Sequence, residues 1–268
     1  MEEMVMEKGV LLVFRSLVRN CSSAFYNHIT EQFFNFVNEH LFNSKPAMDA
    51  ITKMAGDEEL QASCITHIIQ NMGLSIISNE QINVLFEVCQ TIQEKGSWKA
   101  KITLLRFLQV FVFTNLFILR AKNGTFDFLK SLLLKLLVDG RFEVREASAE
   151  TLSGLVRAGI ISVDEQLVKS AETLASSPKQ SIERHSGVLA LASIVLAFPY
   201  SVPSFLPKVL MHLCKHATEP QPIYGTVKRA LSEFKRTHQD EWHEHKLEFT
   251  EDQLQILTDL IVSPTYYV

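Results

Sequence analysis

The stretch Asp139–Leu155, with the sequence DGRFEVREASAETLSGL, decides the fold of this 268-residue chain. An Asp-Gly pair interrupts the apolar run before it. Asp139 is expected to cap a helix that begins near Phe142, because aspartate is favoured at helix N-termini. From Val144 onward, apolar residues return every three or four positions, which is the helical period. The stretch therefore predicts a tight turn followed by a helix with one buried face.

The same stretch fits the second-helix pattern of a HEAT repeat, in which paired helices bury their faces by stacking into a solenoid. We expect Arg145 to reach an acidic turn group in an adjacent repeat, and Ala147 and Leu152 to be buried. Basic residues in comparable places follow at Arg184 and Lys228, 39 and 44 residues further along in turn. These separations are close to the HEAT period and predict two further repeats.

Glycine and proline breaks separate the other predicted helices, and most of the breaks are short enough to favour antiparallel neighbours. The predicted helices span residues 4–20, 22–42, 58–75, 79–94, 98–120, 126–138, 142–157, 163–175, 181–197, 204–216, 222–238 and 251–262. We therefore predict an all-α, HEAT-like solenoid of antiparallel helix pairs over residues 1–262. Its repeats are clearest in 126–262, the repeat register of residues 1–120 stays open, and a short free tail occupies residues 263–268.

Capping boxes of the form S/T-x-x-E/Q predict where three of these helices begin. The predicted pairs are Ser78 with Gln81, Ser162 with Glu165, and Thr250 with Gln253.

Composition excludes several classes of partner. The net charge of -4 and the absence of a run of Lys and Arg predict no nucleic-acid binding. The segment Ile102–Leu119 is long enough to span a bilayer, but Arg106, Gln109 and Asn115 interrupt it, so we predict a buried helix and no membrane contact.

The cysteines and the N-terminus bear on the compartment. The four cysteines match no zinc module and are typical of reduced core residues, which predicts a cytosolic or nuclear protein. They are Cys21, Cys64, Cys89 and Cys214. The acidic start MEEMVMEKGV lacks the basic region of a secretory signal.

The chain offers no convincing catalytic or metal site. His212 and His216 lie one helical turn apart and could share a metal, but they lack further ligands, so surface histidines are favoured. His238, His243 and His245 do not form an H-E-x-x-H helix, and a solvated polar helix with Trp242 packed inward is expected there. No nucleophile elbow or phosphate loop occurs. We predict no enzyme activity, no metal and no cofactor.

The last residues differ from an ordinary frayed end. Pro264 should end the final helix at residue 262 and leave Thr265 to Val268 as a short tail. Tyr266 and Tyr267 offer rigid contact area with a polar end, and a terminal carboxylate is a charge that a partner can capture.

From about Val144 onward the chain resembles the C-terminal region of the proteasome activator complex subunit 4 family, the large single-chain HEAT-repeat activators. The resemblance is carried by EVREASAETLSGLV, ERHSGVLALASIVLAFPYSVPSFLPKVLMHL, EPQPIYGTVKRALSEFKRTHQDEWHEHKLEFTEDQLQILTDLIVSP and the terminal YYV. Residues 1–140 fit the same helical setting more loosely.

The resemblance implies a non-catalytic protein that caps the core proteasome without ATP, in the cytoplasm and nucleus, with roles in protein degradation and DNA repair. The family ends in hydrophobic–tyrosine–any residue. Tyr266 then takes the hydrophobic position, Tyr267 the penultimate tyrosine and Val268 the carboxylate, which pairs with a lysine in a pocket between two α-ring subunits and helps to displace the gate. Family members are several times longer, so this chain could supply only their last part. A fragment, a truncated gene model and a short paralogue all stay open.

Two alternatives stay open. One is a generic HEAT scaffold that binds another partner along its concave face. The other is an acetyl-histone reader, because the family has been credited with acetyl-lysine binding through an Asn-Phe pair. Here Gly159 and Ile160 occupy those positions, and glycine has no amide to bond an acetyl group, so histones are not expected as a partner.

Overall fold

The computed structural model describes residue 74, residues 79–178 and residues 181–261. Within these residues the structure consists of helices joined by turns and loops, with no β-strand, which confirms the all-α prediction. The helices are α1 (Asn79–Lys95), α2 (Trp98–Thr114), α3 (Leu116–Ala121), α4 (Thr125–Leu137), α5 (Phe142–Arg157), α6 (Glu165–Ala175), α7 (Ile182–Leu196), α8 (Leu206–Cys214), α9 (Ile223–His238), α10 (Trp242–His245) and α11 (Glu251–Ile261), with a 3₁₀ turn at Lys246–Glu248.

The chain divides into two compact units, Met1–Thr125 and Phe126–Val268. The second unit begins where the sequence predicts the clearest repeats. The sequence interpretation of residues 1–262 as one solenoid stays a prediction.

In the described part of the first unit, α2 packs against α1 and α3. The predicted single helix over 98–120 is wrong, because it is interrupted at Asn115. The buried side-chain amide of Asn115 donates to the Phe111 carbonyl at 3.2 Å, and the Asn115 backbone N–H donates to the same oxygen at 3.0 Å. A side-chain donor that shares a helical carbonyl competes with the backbone ladder and explains the local break. None of the described helices has the length and apolar character needed to cross a membrane.

Helix α7 is the centre of the second unit and contacts α5, α6, α8 and α9. Every residue from His185 to Val195 is buried, as expected for a helix that is apolar on all sides. At Gly187 the backbones of α6 and α7 meet. A Cβ there would lie 2.1 Å from the Ala175 nitrogen and 2.7 Å from the Ala171 oxygen. This close approach requires glycine.

The register of the repeats differs from the sequence prediction. Arg145, His185 and Thr226 each occupy the fourth position of α5, α7 and α9. Arg184 and Lys228, which the sequence analysis placed as comparable to Arg145, lie one position before His185 and two positions after Thr226. Separations of 40 and 41 residues relate the three residues at the fourth position.

These three side chains form a continuous chain of hydrogen bonds across the repeats. The Arg145 Nε–H donates to Nδ1 of His185 at 3.2 Å, so Nδ1 is an acceptor and the ring is neutral with its hydrogen on Nε2. Nε2 then donates to the Thr226 hydroxyl at 3.3 Å, which donates to the Pro222 carbonyl at 3.3 Å. Phe142 stacks on the His185 ring, with ring centroids 5.5 Å apart.

Arg145 therefore makes an inter-repeat contact, but its partner is not acidic as predicted. Besides His185, its guanidinium donates to the carbonyl oxygens of Asp139 and Gly140 at 2.8 and 3.1 Å. The acidic turn group is used by its neighbour in the next repeat, where Arg184 forms an ion pair with Glu219 at 2.5 Å. Arg145 contacts a histidine instead, because the fourth residue of the neighbouring helix α7 is His185.

Two other predictions at this turn are corrected. Asp139 does not cap α5; its Oδ1 accepts from the Arg141 N–H at 2.8 Å and so holds the turn before the helix. Ala147 is half-buried instead of buried, because it lies at the edge of the apolar face. Val144 and Leu152 are buried as structural residues of that face.

The capping boxes have mixed outcomes. Thr250 and Gln253 bond reciprocally, with each backbone N–H donating to the other side chain at 3.0 and 3.3 Å, which confirms that box. Ser162 is not the cap of α6. Asp164 is, because it directly precedes Glu165 and accepts from the Leu167 N–H at 2.7 Å. The predicted pair of Ser78 with Gln81 lies outside the described side chains.

Leu152→Ala should lower the free energy of unfolding by about 2–5 kcal/mol, because Leu152 is 1% exposed and truncation leaves a cavity. Urea unfolding followed by circular dichroism measures this. Glu150→Ala, an exposed site on the same helix, is the control and should change stability by less than about 0.5 kcal/mol. Equal stability of the Leu152→Ala variant and the parent would contradict the repeat assignment.

A pH dependence follows from His185. Burial, with the nearby charges of Arg145 and Arg229, lowers the pKa of His185 from its ordinary 6.5 to about 4. Between these values the unfolded chain binds a proton that the folded chain does not, so stability falls as the pH drops from 6.5 towards 4.

His185→Gln keeps an acceptor for Arg145 and a donor for Thr226 but cannot titrate. Between pH 7 and pH 5 the parent should therefore lose about 1–2 kcal/mol more stability than this variant, since each pKa unit corresponds to about 1.4 kcal/mol. Urea unfolding at the two pH values measures the difference. The other histidines are the same in both proteins, so their contributions cancel, and identical losses would show that His185 is not held neutral.

Candidate functional site

The sequence places the candidate site at Tyr266, Tyr267 and Val268, which lie outside the described residues. The described segment that leads to them is α11, which ends at Ile261. The contacts of α11 therefore determine the point from which the tail starts.

Helix α11 starts at a fixed point. The capping box of Thr250 and Gln253 satisfies two backbone N–H groups at its N-terminus. Just before it, Phe249 is buried in the core of the second unit. The beginning of the last helix is therefore held both by hydrogen bonds and by an aromatic anchor.

Packing along α11 is limited to one face. It contacts α8 and α9. Leu257 is buried in the core and Leu254 is half-buried against it, whereas Ile256 and Leu260 are 44% and 37% exposed. The second half of α11 thus presents Ile256 and Leu260 to solvent before the predicted tail.

An aromatic cluster supports this face of α11. The ring centroid of Phe234 lies 6.4 Å from that of Trp242 and 6.3 Å from that of Phe249, and Trp242 and Phe249 are 5.9 Å apart. Trp242 is half-buried against the core, as predicted.

His238 belongs to this cluster and is fully buried, so the prediction of a solvated histidine-rich helix is wrong at this residue. Its ring stacks on Phe234 with centroids 4.1 Å apart, and its nitrogens lie 2.9 and 3.3 Å from the carbonyl oxygens of Phe234 and Ser201. Burial lowers the pKa of His238. The imidazole therefore packs within the aromatic cluster and ties α9 to the loop before α8.

The cluster borders a groove of about 240 Å³ between α9, α10 and α11. Its lining is largely aromatic and aliphatic, with one cation. The lining residues are Phe234, Lys235, His238, Gln239, Trp242, Leu257 and Thr258. Sequence reasoning missed this groove, although Trp242 beside a helix-spaced Phe234 and His238 was a signal for an aromatic cluster.

The histidine pair with metal-like spacing does not share a site. Nε2 of His212 lies 3.3 Å from Glu172, while Nδ1 of His216 lies 2.7 Å from Glu219. Each histidine has its own carboxylate partner on a different element. In the described part of the chain no group of three or more His, Cys, Asp or Glu side chains could hold a metal ion.

Two of the four cysteines fall in the described residues. Cys89 and Cys214 are buried free thiols, and burial raises the pKa of each to about 12. A thiol that stays protonated is a poor nucleophile, so neither residue is suited to covalent catalysis.

Gly159 and Ile160, which the resemblance aligns with the acetyl-lysine pair of the family, have structural roles. Gly159 has φ +67° and ends α5 in the left-handed conformation that glycine adopts without strain. Ile160 is buried, and its N–H donates to the Leu155 carbonyl at 3.0 Å. A helix stop and a core side chain leave no side-chain donor for an acetyl group at these two residues.

Comparisons with known proteins point to one family. Residues 181–268 match the family described as "Proteasome activator complex subunit 4-like, C-terminal". The chain is 40% identical over 216 residues to proteasome activator complex subunit 4 of Homo sapiens and 39% identical over 214 residues to subunit 4A of Danio rerio, in each case over 73% of this chain. It is 26% identical over 204 residues, 70% of this chain, to the proteasome activator BLM10 of Saccharomyces cerevisiae. It spans 12% of the length of the human and zebrafish relatives and 9% of the yeast one.

Acetylated histone peptides should bind this chain no better than unmodified ones, because Gly159 and Ile160 have no side-chain amide that could donate to the acetyl oxygen. Isothermal calorimetry with matched peptide pairs measures the difference. An acetyl-dependent affinity would show that other residues form a reader site.

Proposed function

The chain carries the C-terminal region of the proteasome activator complex subunit 4 family, and from this premise we propose that it is a non-catalytic proteasome activator module that docks its last three residues into an α-ring pocket of the core proteasome. The observation that carries the proposal is the family match over residues 181–268, which includes the tail. The relatives that match are proteasome activators by name.

The geometry of α11 supports tail docking. Its capped start, with Phe249 and Leu257 in the core, holds the helix against α8 and α9. Seven residues of the sequence follow Ile261, and Pro264 among them has a fixed φ. A short segment on a fixed base loses less conformational freedom on binding than a long one, so more of the contact energy remains as affinity.

Each residue of the tail has a separate role in the proposal. The Val268 carboxylate pairs with a pocket lysine as a charge-assisted hydrogen bond worth about 1.5–3 kcal/mol. Tyr267 contributes ring packing and a hydroxyl hydrogen bond. Tyr266 needs only an apolar body. Together these contacts bias the gate of the core particle towards its open form.

The proposal places the protein in the cytoplasm and nucleus, where its partner would be the α-ring. Imaging of an N-terminally labelled chain tests this, and exclusion from both compartments would contradict it.

A concave-face scaffold is the second candidate. It is favoured by apolar residues exposed in the first turns of α5, α7 and α9, namely Phe142, Ile182 and Tyr224. A partner bound there would not need the tail, so the two candidates differ in their response to C-terminal changes.

Adding a C-terminal tag to the full chain should abolish its stimulation of fluorogenic-peptide hydrolysis by core proteasome, because the tag moves the carboxylate away from residue 268. Tyr267→Ala should reduce stimulation more than Tyr267→Phe, which loses only the hydroxyl. Tyr266→Leu should be tolerated. The same tag at the N-terminus is the matched control.

Co-sedimentation with core proteasome separates binding from gate opening. If the C-terminally tagged chain binds as well as the native one, the tail does not carry the interaction, and the concave-face scaffold becomes the better description.

A further inference from the structure

We propose that the groove between α9, α10 and α11 is a second docking site for the tail, so that the ring of Tyr267 packs in the groove of the free chain beside Lys235. The occupant is the chain's own segment 262–268. This inference deepens the proposed function by giving the tail an intramolecular competitor, and it rests on that function only for the competition.

The size of the groove suits a single aromatic side chain. Its volume is about 240 Å³. A protein cavity of roughly 150 Å³ accommodates benzene, whereas typical small-molecule pockets begin at about 300 Å³. A phenol ring with its methylene group falls between these sizes.

The lining suits tyrosine in particular. Phe234 and Trp242 offer aromatic surfaces with their ring planes at 88° to each other, which allows both stacked and edge contacts with an entering ring. The lining also includes the side chains of Gln239 and Thr258, whose oxygens can accept a hydrogen bond from a tyrosine hydroxyl.

Charge complementarity points to the same segment. Lys235 is exposed at the groove, and no carboxylate of the described residues forms an ion pair with its ammonium. The residue after Tyr267 is Val268, whose carboxylate supplies that charge. An aromatic groove with a lysine beside it offers the tail the same two interactions that the proposed function assigns to the α-ring pocket.

The tail can reach the groove easily. Thr258, which lines the groove, lies three residues before Ile261, about 4.5 Å along the helix axis. The seven residues after Ile261 can extend by up to about 25 Å. Pro264 cannot continue a helix, so the sequence allows a change of chain direction between Ile261 and Tyr267.

Fluorescence of Trp242 tests the contact without proteasome. In the full chain with Trp98→Phe, Trp242 is the only tryptophan. Tyr267→Ala and Lys235→Glu should each raise its quenching by acrylamide and shift its emission to the red, because the tail leaves the groove. Lys228→Glu makes the same charge change on the same helix outside the groove and should have no effect.

A peptide of residues 263–268, SPTYYV, should restore the parental quenching when added to the Tyr267→Ala chain, and SPTYAV should not. This rescue separates docking from a general loosening of the fold. Unchanged quenching in the Tyr267→Ala chain, or rescue by both peptides, would overturn the inference.

Competition between the groove and the α-ring pocket for the tail is measured with a variant whose groove is filled by an added aromatic side chain. Thr258→Phe should tighten binding to core proteasome by about tenfold for each 1.4 kcal/mol of groove binding that is removed. Gln255→Phe, an exposed site on the same helix outside the groove, should leave the affinity unchanged. If the quenching results hold and no variant binds proteasome, the proposed function fails and the groove contact stands. If both phenylalanine variants bind proteasome equally, the groove does not compete.

Discussion

The chain of hydrogen bonds from Arg145 through His185 to Thr226 is the interaction on which the stacking of three successive repeats depends. It joins the fourth residues of α5, α7 and α9 through the buried, neutral ring of His185. Buried polar groups are costly when unpaired, and a shift of α7 by a single position would break both bonds at once because His185 makes both of them. The same shift would move Gly187 away from α6, where only glycine fits. The register is thus set by a polar chain and a steric contact together.

The apolar core that stabilises the repeats also holds the last described helix, α11, in place. The core that surrounds α7 continues into Phe234, Phe249 and Leu257, so the last helix is fixed through the same apolar cluster. The described structure therefore provides a fixed base for the seven residues that follow Ile261. Such a base suits both docking sites that we propose for the tail, the α-ring pocket and the groove beside Trp242, because it sets where the tail starts.

The sequence predicts those features that are determined within one segment, and it does not predict those that depend on contacts between distant segments. The helix over 142–157 was predicted with its observed bounds, since its turn and period lie within one segment. The repeat register could not be predicted by looking for like residues, because the equivalent positions hold Arg, His and Thr. The groove was missed because Lys235, Trp242 and Thr258 come from three helices that only tertiary packing brings together. The break at Asn115 depends on how its buried amide is satisfied, which periodicity does not reveal.

The most direct test of tail docking is an electron cryomicroscopy reconstruction of the full chain bound to core proteasome. We expect density for Tyr266, Tyr267 and Val268 in one pocket between adjacent α-ring subunits, with a pocket lysine at the Val268 carboxylate and with the α11 base oriented towards that pocket. A reconstruction in which the chain contacts the ring through its concave face, with every inter-subunit pocket empty, would contradict tail docking.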